Sequence, residues 1–223
     1  SRGSETLYNN AANNWLVVDT RDNAHILLNE YDFKKYYEPI NQPVITLPDS
    51  DLITKALDIC IRAHDGQKRK YTGEDYHTHP IAVAEMLYEV GIDDEIILAA
   101  ALCHDVLEDT DMVLEDVLPE EVVHIVKECT AHTNTDYENT PRMIRKKIDK
   151  WHYAWSSDAC KLIKIADATH NTTSIIAEDP DFAKLYISEK VDLIGELTSR
   201  AHNHLDVIGT LYSRFNHLIR NVS

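Results

Sequence analysis

The sequence predicts an all-α bundle of about eight helices carried behind a short N-terminal arm. Two observations predict it. From about residue 50 to the end, apolar residues recur at helical spacing in one segment after another. Only six glycines and seven prolines occur in 223 residues, too few for a loop-rich β architecture.

Taken in order, residues 12–36 hold two short apolar and aromatic stretches, NWLVVD and AHILLNEYDF, separated by the turn-forming TRDN. They read as a small β-hairpin or an irregular arm. NQPVITLPDSD then reads as a linker ending in a helix N-cap at Asp49 or Ser50. The division expected is an arm and linker over 1–48 and a helical domain over 49–223. DLITKALDICIRAHDG carries a stripe of Leu52, Ala56, Ile59, Cys60 and Ala63, closed by Gly66. Pro80 suits the first turn of PIAVAEMLYEV, which Gly91 ends. Further helices are expected near 94–108, 119–131, 141–152, 157–170 and 181–219, the last broken once.

The composition excludes several classes of partner. A formal charge of -16 repels nucleic acid and anionic membranes alike. No apolar stretch approaches the roughly 20 residues that span a bilayer, and SRGSETLYNN lacks the apolar core of a signal peptide. Cys60, Cys103, Cys129 and Cys160 are scattered without CxxC spacing, which reads as buried free thiols in a reducing cytoplasm. A small anionic substrate remains compatible if cations are concentrated locally.

LCHDVLEDT, residues 102–110, sets His104, Asp105, Glu108 and Asp109 just after the apolar IILAAAL. Charged groups drawn into apolar surroundings need strong partners such as a metal ion. YHTHP offers His79, and KIADATHN offers Asp167. Two histidines and two aspartates suit a borderline-hard divalent cation such as Mn²⁺, Fe²⁺ or Zn²⁺. Adjacent residues on a helix point about 100° apart, so His104 and Asp105 would share an ion lying in the wedge between them. Glu108 and Asp109 follow one turn later and suit the orientation or deprotonation of a water. A single HD dipeptide is weak, because most histidines serve the surface or an ordinary hydrogen bond. His77, His124, His132, His152, His202, His204 and His217 are read that way. The ordered set H…HD…D at the end of an apolar helix is far more specific.

AHDGQKRKYTGEDYHTHPIAVAEML, AAALCHDVLEDTDM and KLIKIADATHNTTSI closely resemble the hydrolase domain of the RelA/SpoT family, within the HD superfamily, over roughly residues 50–215. The resemblance implies hydrolysis of the 3′-pyrophosphate of ppGpp and pppGpp to GDP or GTP and pyrophosphate, usually with Mn²⁺. The family's synthetase domain has no counterpart here, which implies a small stand-alone alarmone hydrolase. By position, His79, His104, Asp105 and Asp167 become the metal ligands, and Glu108 with Asp109 the pair that activates water. Asn171 matches an asparagine near the nucleotide's sugar. Lys68, Arg69 and Lys70 match a segment that meets base and phosphates, with one extra residue before Gly73. TPRMIRKKIDK resembles the family's later basic helix and places Arg142, Arg145, Lys146 and Lys147 near the pyrophosphate.

Those two clusters are the densest cationic stretches of an acidic chain, as a polyphosphate substrate would require. Two departures bear on substrate identity: ADATHN has Ala168 where a basic residue is common, and ECTAHTN lacks the lysine of the usual GVTKL. Both are expected at the pocket's edge. The alternatives are an HD hydrolase for a related nucleotide, such as ppApp, NADPH or another phosphoester, and a non-catalytic nucleotide- or partner-binding module. The Glu108–Asp109 pair argues against a mere binder, which has no need to activate water.

Overall fold

A computed structural model describes the backbone of residues 5–9, 15–19 and 24–28, and residues 47–131, 139–220 and 222 throughout. The chain divides into two units, Ser1–Ile45 and Thr46–Ser223. In the first, β1 (Glu5–Asn9), β2 (Trp15–Asp19) and β3 (Ala24–Leu28) form an antiparallel sheet in the order β1-β2-β3. Glu5 pairs with Asp19 and Trp15 with Leu28 in its two ladders. β2 and β3 are the expected hairpin; β1 was not anticipated. The remainder of the arm, residues 41–46 of the linker and His132 lie outside the described residues.

The second unit is all-α. Its described residues form nine helical segments: α1 (Asp51–Ala63), α2 (Thr78–Glu89), α3 (Glu95–Leu102), the single turn α4 (Val106–Asp109), α5 (Glu120–Cys129), α6 (Arg142–Trp155), α7 (Asp158–Glu178), α8 (Pro180–Ser199) and α9 (Leu205–Ile219). Local chemistry sets their starts. The Ser50 hydroxyl accepts from the Ile53 amide at α1, the Asp94 carboxylate accepts from Ile96 and Ile97 at α3, and Pro180 opens α8 behind the Asp179 cap. The buried stripe of α1 is Ile53, Ala56, Ile59 and Cys60, with Ile53 replacing the expected Leu52 and Ala63.

Two helices make the core. Ile97 to Leu102 of α3 are buried all round, and their three alanines let α1, α2 and α5 approach closely. α7 is buried from Cys160 to Thr169 and packs against α2, α5, α8 and α9. It runs eight residues beyond the expected end at 170, and α6 runs three beyond 152. The expected helix 94–108 is broken instead: α3 stops at Leu102, and Cys103, His104 and Asp105 form a turn before α4. The expected break near the end lies between α8 and α9, where His204 takes a left-handed conformation with φ 52°.

All four cysteines are buried free thiols. Among the described residues no helix is long and apolar enough to cross a membrane.

Asp158 ties this last break to α7. One carboxylate oxygen accepts from the His202 and Asn203 amides and the other from the buried Lys161 ammonium. Against the desolvation that would raise it, these donors lower the Asp158 carboxyl to about 2. Because the folded value lies below the unfolded one, near 3.9, the stabilisation is present above about pH 4 and is lost as pH falls through 2. Asp158→Ala is expected to cost about 1–2 kcal/mol at pH 7. Thermal unfolding measured from pH 7 down to pH 2 should show the gap to wild type closing below about pH 4; a gap independent of pH would refute this.

Candidate functional site

The break after α3 turns the His104–Asp105 pair into the interior. His104 is wholly buried and His79, from α2, is 1% exposed. With Asp105 they offer three ligand atoms that all lie within 4.8 Å of one another. Asp167, from α7, joins them: its Oδ1 lies 3.2 Å from His79 Nε2, and Asp105 Oδ2 lies 3.6 Å from the same nitrogen.

Proton bookkeeping shows what this set needs. His104 Nδ1 lies 2.7 Å from the Ala101 carbonyl, so it must carry the hydrogen and donate. In the neutral ring Nε2 then presents a lone pair. That nitrogen is buried without a hydrogen-bond partner among the described residues, and a second acceptor, Asp105 Oδ1, lies 3.2 Å away. A cation must lie between them, either a proton on Nε2 or a metal ion. Burial alone would depress the His104 imidazole, yet the neighbouring Asp105 and Asp167 carboxylates outweigh it and raise it. Burial would likewise raise Asp105 and Asp167, but the histidines beside both of them, together with Lys164 beside Asp167, hold both below the usual carboxylate range. This nitrogen and oxygen donor set fits a divalent ion.

The surrounding contacts orient it. His79 Nδ1 lies 2.8 Å from His170 Nδ1, so one ring donates to the other there. Burial, then the neighbouring His79 and Arg69, lower His170 to about 4, which keeps it neutral. The contact fixes the His79 ring with Nε2 turned towards Asp105 and Asp167. Tyr76 donates to Asp105 Oδ2 at 2.9 Å and stacks on the buried His64, 4.8 Å between centroids. Asn171 donates to Asp167 Oδ1 at 2.5 Å and accepts from Arg69 Nη2 at 2.8 Å. Arg69 is presented by a tight loop in which Gly73, at φ 73°, donates to the Arg69 carbonyl. None of Tyr76, His64, His170 and Lys164 was picked out from the sequence. For Lys164 and His170 a signal existed, since they sit three residues to either side of Asp167 on one helix.

Asp105 and Asp167 form the floor of a cavity of about 730 Å³, walled by α6, α7 and α8. Glu108, Asn171, Arg142, Lys146 and Lys147 also line it. Burial raises the Glu108 carboxyl, with the Asp105 charge adding to the effect. Asp109, its neighbour, is exposed and lines no part of the cavity. Consecutive helical residues point about 100° apart, so of the expected pair Glu108 faces the cavity while Asp109 turns towards Tyr76 and His64. Arg145 does not line the cavity either. Of the earlier basic run only Arg69 reaches the centre; Lys68 pairs with Asp75 at 2.7 Å and Lys70 lies over Tyr71. Ala168 is fully buried in the core rather than at the pocket's edge. Of the ECTAHTN stretch, Ala131 lines the cavity and residues 132–134 lie outside the described residues.

The basic wall is partly neutralised. Arg142 makes a bidentate pair with Glu189 of α8 at 2.8 Å, Lys150 pairs with Asp192 at 2.7 Å, and Lys146 with Asp149 at 3.0 Å.

An all-α bundle with a buried His, His-Asp and Asp set below a cavity lined by Arg142 and five lysines defines a class. The HD domain profile matches residues 56–200, and the chain belongs to the HD domain family. It is similar to the guanosine-3′,5′-bis(diphosphate) 3′-pyrophosphohydrolase MESH1 of Homo sapiens, 38% identical over 124 residues, which cover 53% of this chain and 66% of that protein. The Xenopus tropicalis MESH1 is 36% identical over 128 residues, 55% of this chain and 69% of that one. The bifunctional (p)ppGpp synthase/hydrolase SpoT of Escherichia coli is 31% identical over 175 residues, 75% of this chain and 25% of that protein. The match thus spans about two thirds of the vertebrate relatives and a quarter of the bacterial one. A solved structure of a metazoan ortholog of SpoT that hydrolyses ppGpp superposes with a TM-score of 0.65 at 26% identity, covering 78% of this chain and 97% of that one.

The Arg142–Glu189 pair generates a prediction. An incoming anion must compete with Glu189 for the guanidinium, so Glu189→Gln is expected to tighten phosphate-containing ligands several-fold. Calorimetric titration of the variant with a nucleoside polyphosphate checks this, and unchanged or weaker binding would refute it.

Proposed function

We propose that this chain is a metal-dependent hydrolase that removes the 3′-pyrophosphate from ppGpp- and pppGpp-like nucleotides, giving GDP or GTP and pyrophosphate. The observation that carries the reading is the buried His104 Nε2 facing Asp105 beneath a cavity rich in cations. The naming of the MESH1 and SpoT relatives for this same activity supports the choice of substrate. A small nucleotide is then the partner, and the cytoplasm the compartment.

In this reading His79, His104, Asp105 and Asp167 hold the ion, Mn²⁺ by preference. When bound, it supplies positive charge that acidifies a water and offsets charge gathering on the phosphoryl oxygens. Glu108 lines the cavity near Asp105, and its raised carboxyl makes it a stronger base than an ordinary glutamate. Its carboxylate takes the proton as the water oxygen attacks the phosphorus and the bond to the 3′-oxygen breaks. Arg142, Lys146 and Lys147 meet the polyphosphate along α6. Arg69 holds Asn171, and through it Asp167, at the cavity's inner edge. Asp109 lies outside the cavity near Tyr76 and His64 and serves to support the Tyr76–Asp105 contact rather than the water. Arg145, Lys68 and Lys70 are assigned no substrate contact.

Incubation with Mn²⁺ and ppGpp, pppGpp, ppApp and NADPH, with products separated by chromatography, tests the reading. GDP and GTP with pyrophosphate, abolished by EDTA, are expected; absence of pyrophosphate release from either guanosine alarmone would overturn it. Glu108→Gln is expected to lower kcat about 10²–10⁴-fold while metal content and melting temperature stay unchanged. Because the base must be ionised, the acid limb of kcat/KM should lie above the ordinary glutamate value near 4.3. A kcat equal to wild type would remove Glu108 from the chemistry.

A further inference from the structure

Two lysines set into the cavity wall lack the close carboxylate partner that Lys146 and Lys150 have, while Lys147, the fifth lysine there, is exposed. Lys164 is buried on α7, with its Nζ 3.9 Å from Asp167 Oδ2, beyond hydrogen-bonding reach, and 5.1 Å from the centre of the Tyr153 ring. Lys190, half-buried on α8, lies 5.1 Å from the centre of the Tyr186 ring and has no carboxylate at ion-pair distance among the described residues. The half-buried Lys146 and Lys150 each have one at 3.0 Å or less. Anions are not scarce: 38 acidic residues stand against 22 basic ones. Glu189, next to Lys190 in sequence, turns to Arg142 instead. A ring face steadies an ammonium group without using any of its three N–H donors. Both lysines line the same cavity and feel one another's charge, which disfavours the empty arrangement. Such a pair is built to be completed by an anion.

We propose that Lys164 and Lys190 form a two-point anion subsite that selects two linked phosphoryl groups over one. Lys164, beside Asp167, takes the phosphoryl group nearest the His–Asp cluster, and Lys190, on the adjoining helix, takes the next. Lys190 thereby becomes a specificity-determining residue that separates pyrophosphorylated from monophosphorylated ligands. This rests on the hydrolase reading for its biological meaning, but the subsite can be measured without turnover.

The test is calorimetric titration of the metal-loaded protein with inorganic pyrophosphate and, separately, orthophosphate, using wild type, Lys190→Met and Lys190→Arg. Wild type should bind pyrophosphate more tightly. Lys190→Met should weaken pyrophosphate about tenfold or more, the scale of a lost charged hydrogen bond, and leave orthophosphate within about twofold. Lys190→Arg should recover most of the loss, and melting temperatures should match throughout. Lys164→Met should weaken both anions; should it fail to fold, the Lys190 pair decides alone. Pyrophosphate binding unchanged in Lys190→Met, or an equal loss for both anions, overturns the proposal. A wild type that binds pyrophosphate through Lys190 yet releases none from ppGpp sinks only the hydrolase reading. One that hydrolyses ppGpp but is indifferent to Lys190 sinks only the subsite.

Discussion

The rest of the site depends on one buried confrontation, the Nε2 lone pair of His104 against the Asp105 carboxylate. The Ala101 carbonyl fixes the tautomer, so the ring cannot turn its hydrogen towards the acid unless it takes up a second proton. The two acceptors cannot simply face each other, because His104 Nε2 is fully buried with no hydrogen-bond donor to satisfy it among the described residues. Only a cation resolves the arrangement. The neighbours are organised around the same need: His170 orients the His79 ring, Tyr76 holds one oxygen of Asp105, and Asn171 holds one of Asp167.

Geometry of this kind requires a rigid frame, and α7 supplies it. Its central residues are buried among α2, α5, α8 and α9, so Lys164 and Asp167 project from a helix that cannot shift independently of the core. The alanine-rich α3 delivers His104 and Asp105 at its end, where the helix hydrogen bonding lapses into a turn. On the far side of the cavity, ion pairs between α6 and α8 hold the basic wall in place and partly neutralise it. An acidic protein can still present Arg142 and five lysines to one cavity, because most of the carboxylates lining it are drawn into ion pairs or the His–Asp cluster.

Much of this was legible in the sequence. Periodic apolar residues and Gly66, Pro80 and Gly91 gave the helices, and the ordered H…HD…D residues converge. The break at Cys103–Asp105 was hidden, since IILAAALCHDVLED contains no glycine or proline and reads as one continuous helix. Its cause is tertiary: the turn lets His104 and Asp105 both face inwards. The basic run of α6 was visible as charge, but its neutralisation by Glu189 and Asp192, more than forty residues away, was not. Lys190 carries no local signal at all, and β1 lay in a stretch too short and polar to read as a strand.

If the buried cluster must hold a cation, proton and metal compete for it, and calorimetry of Mn²⁺ binding reads that competition. Titrations in buffers of different ionisation enthalpy, from pH 8 to pH 6, count the protons released. About one ion per chain is expected, with proton release that grows as pH falls because the metal displaces the proton on His104. Binding without proton release at any pH, or no binding at all, would contradict it.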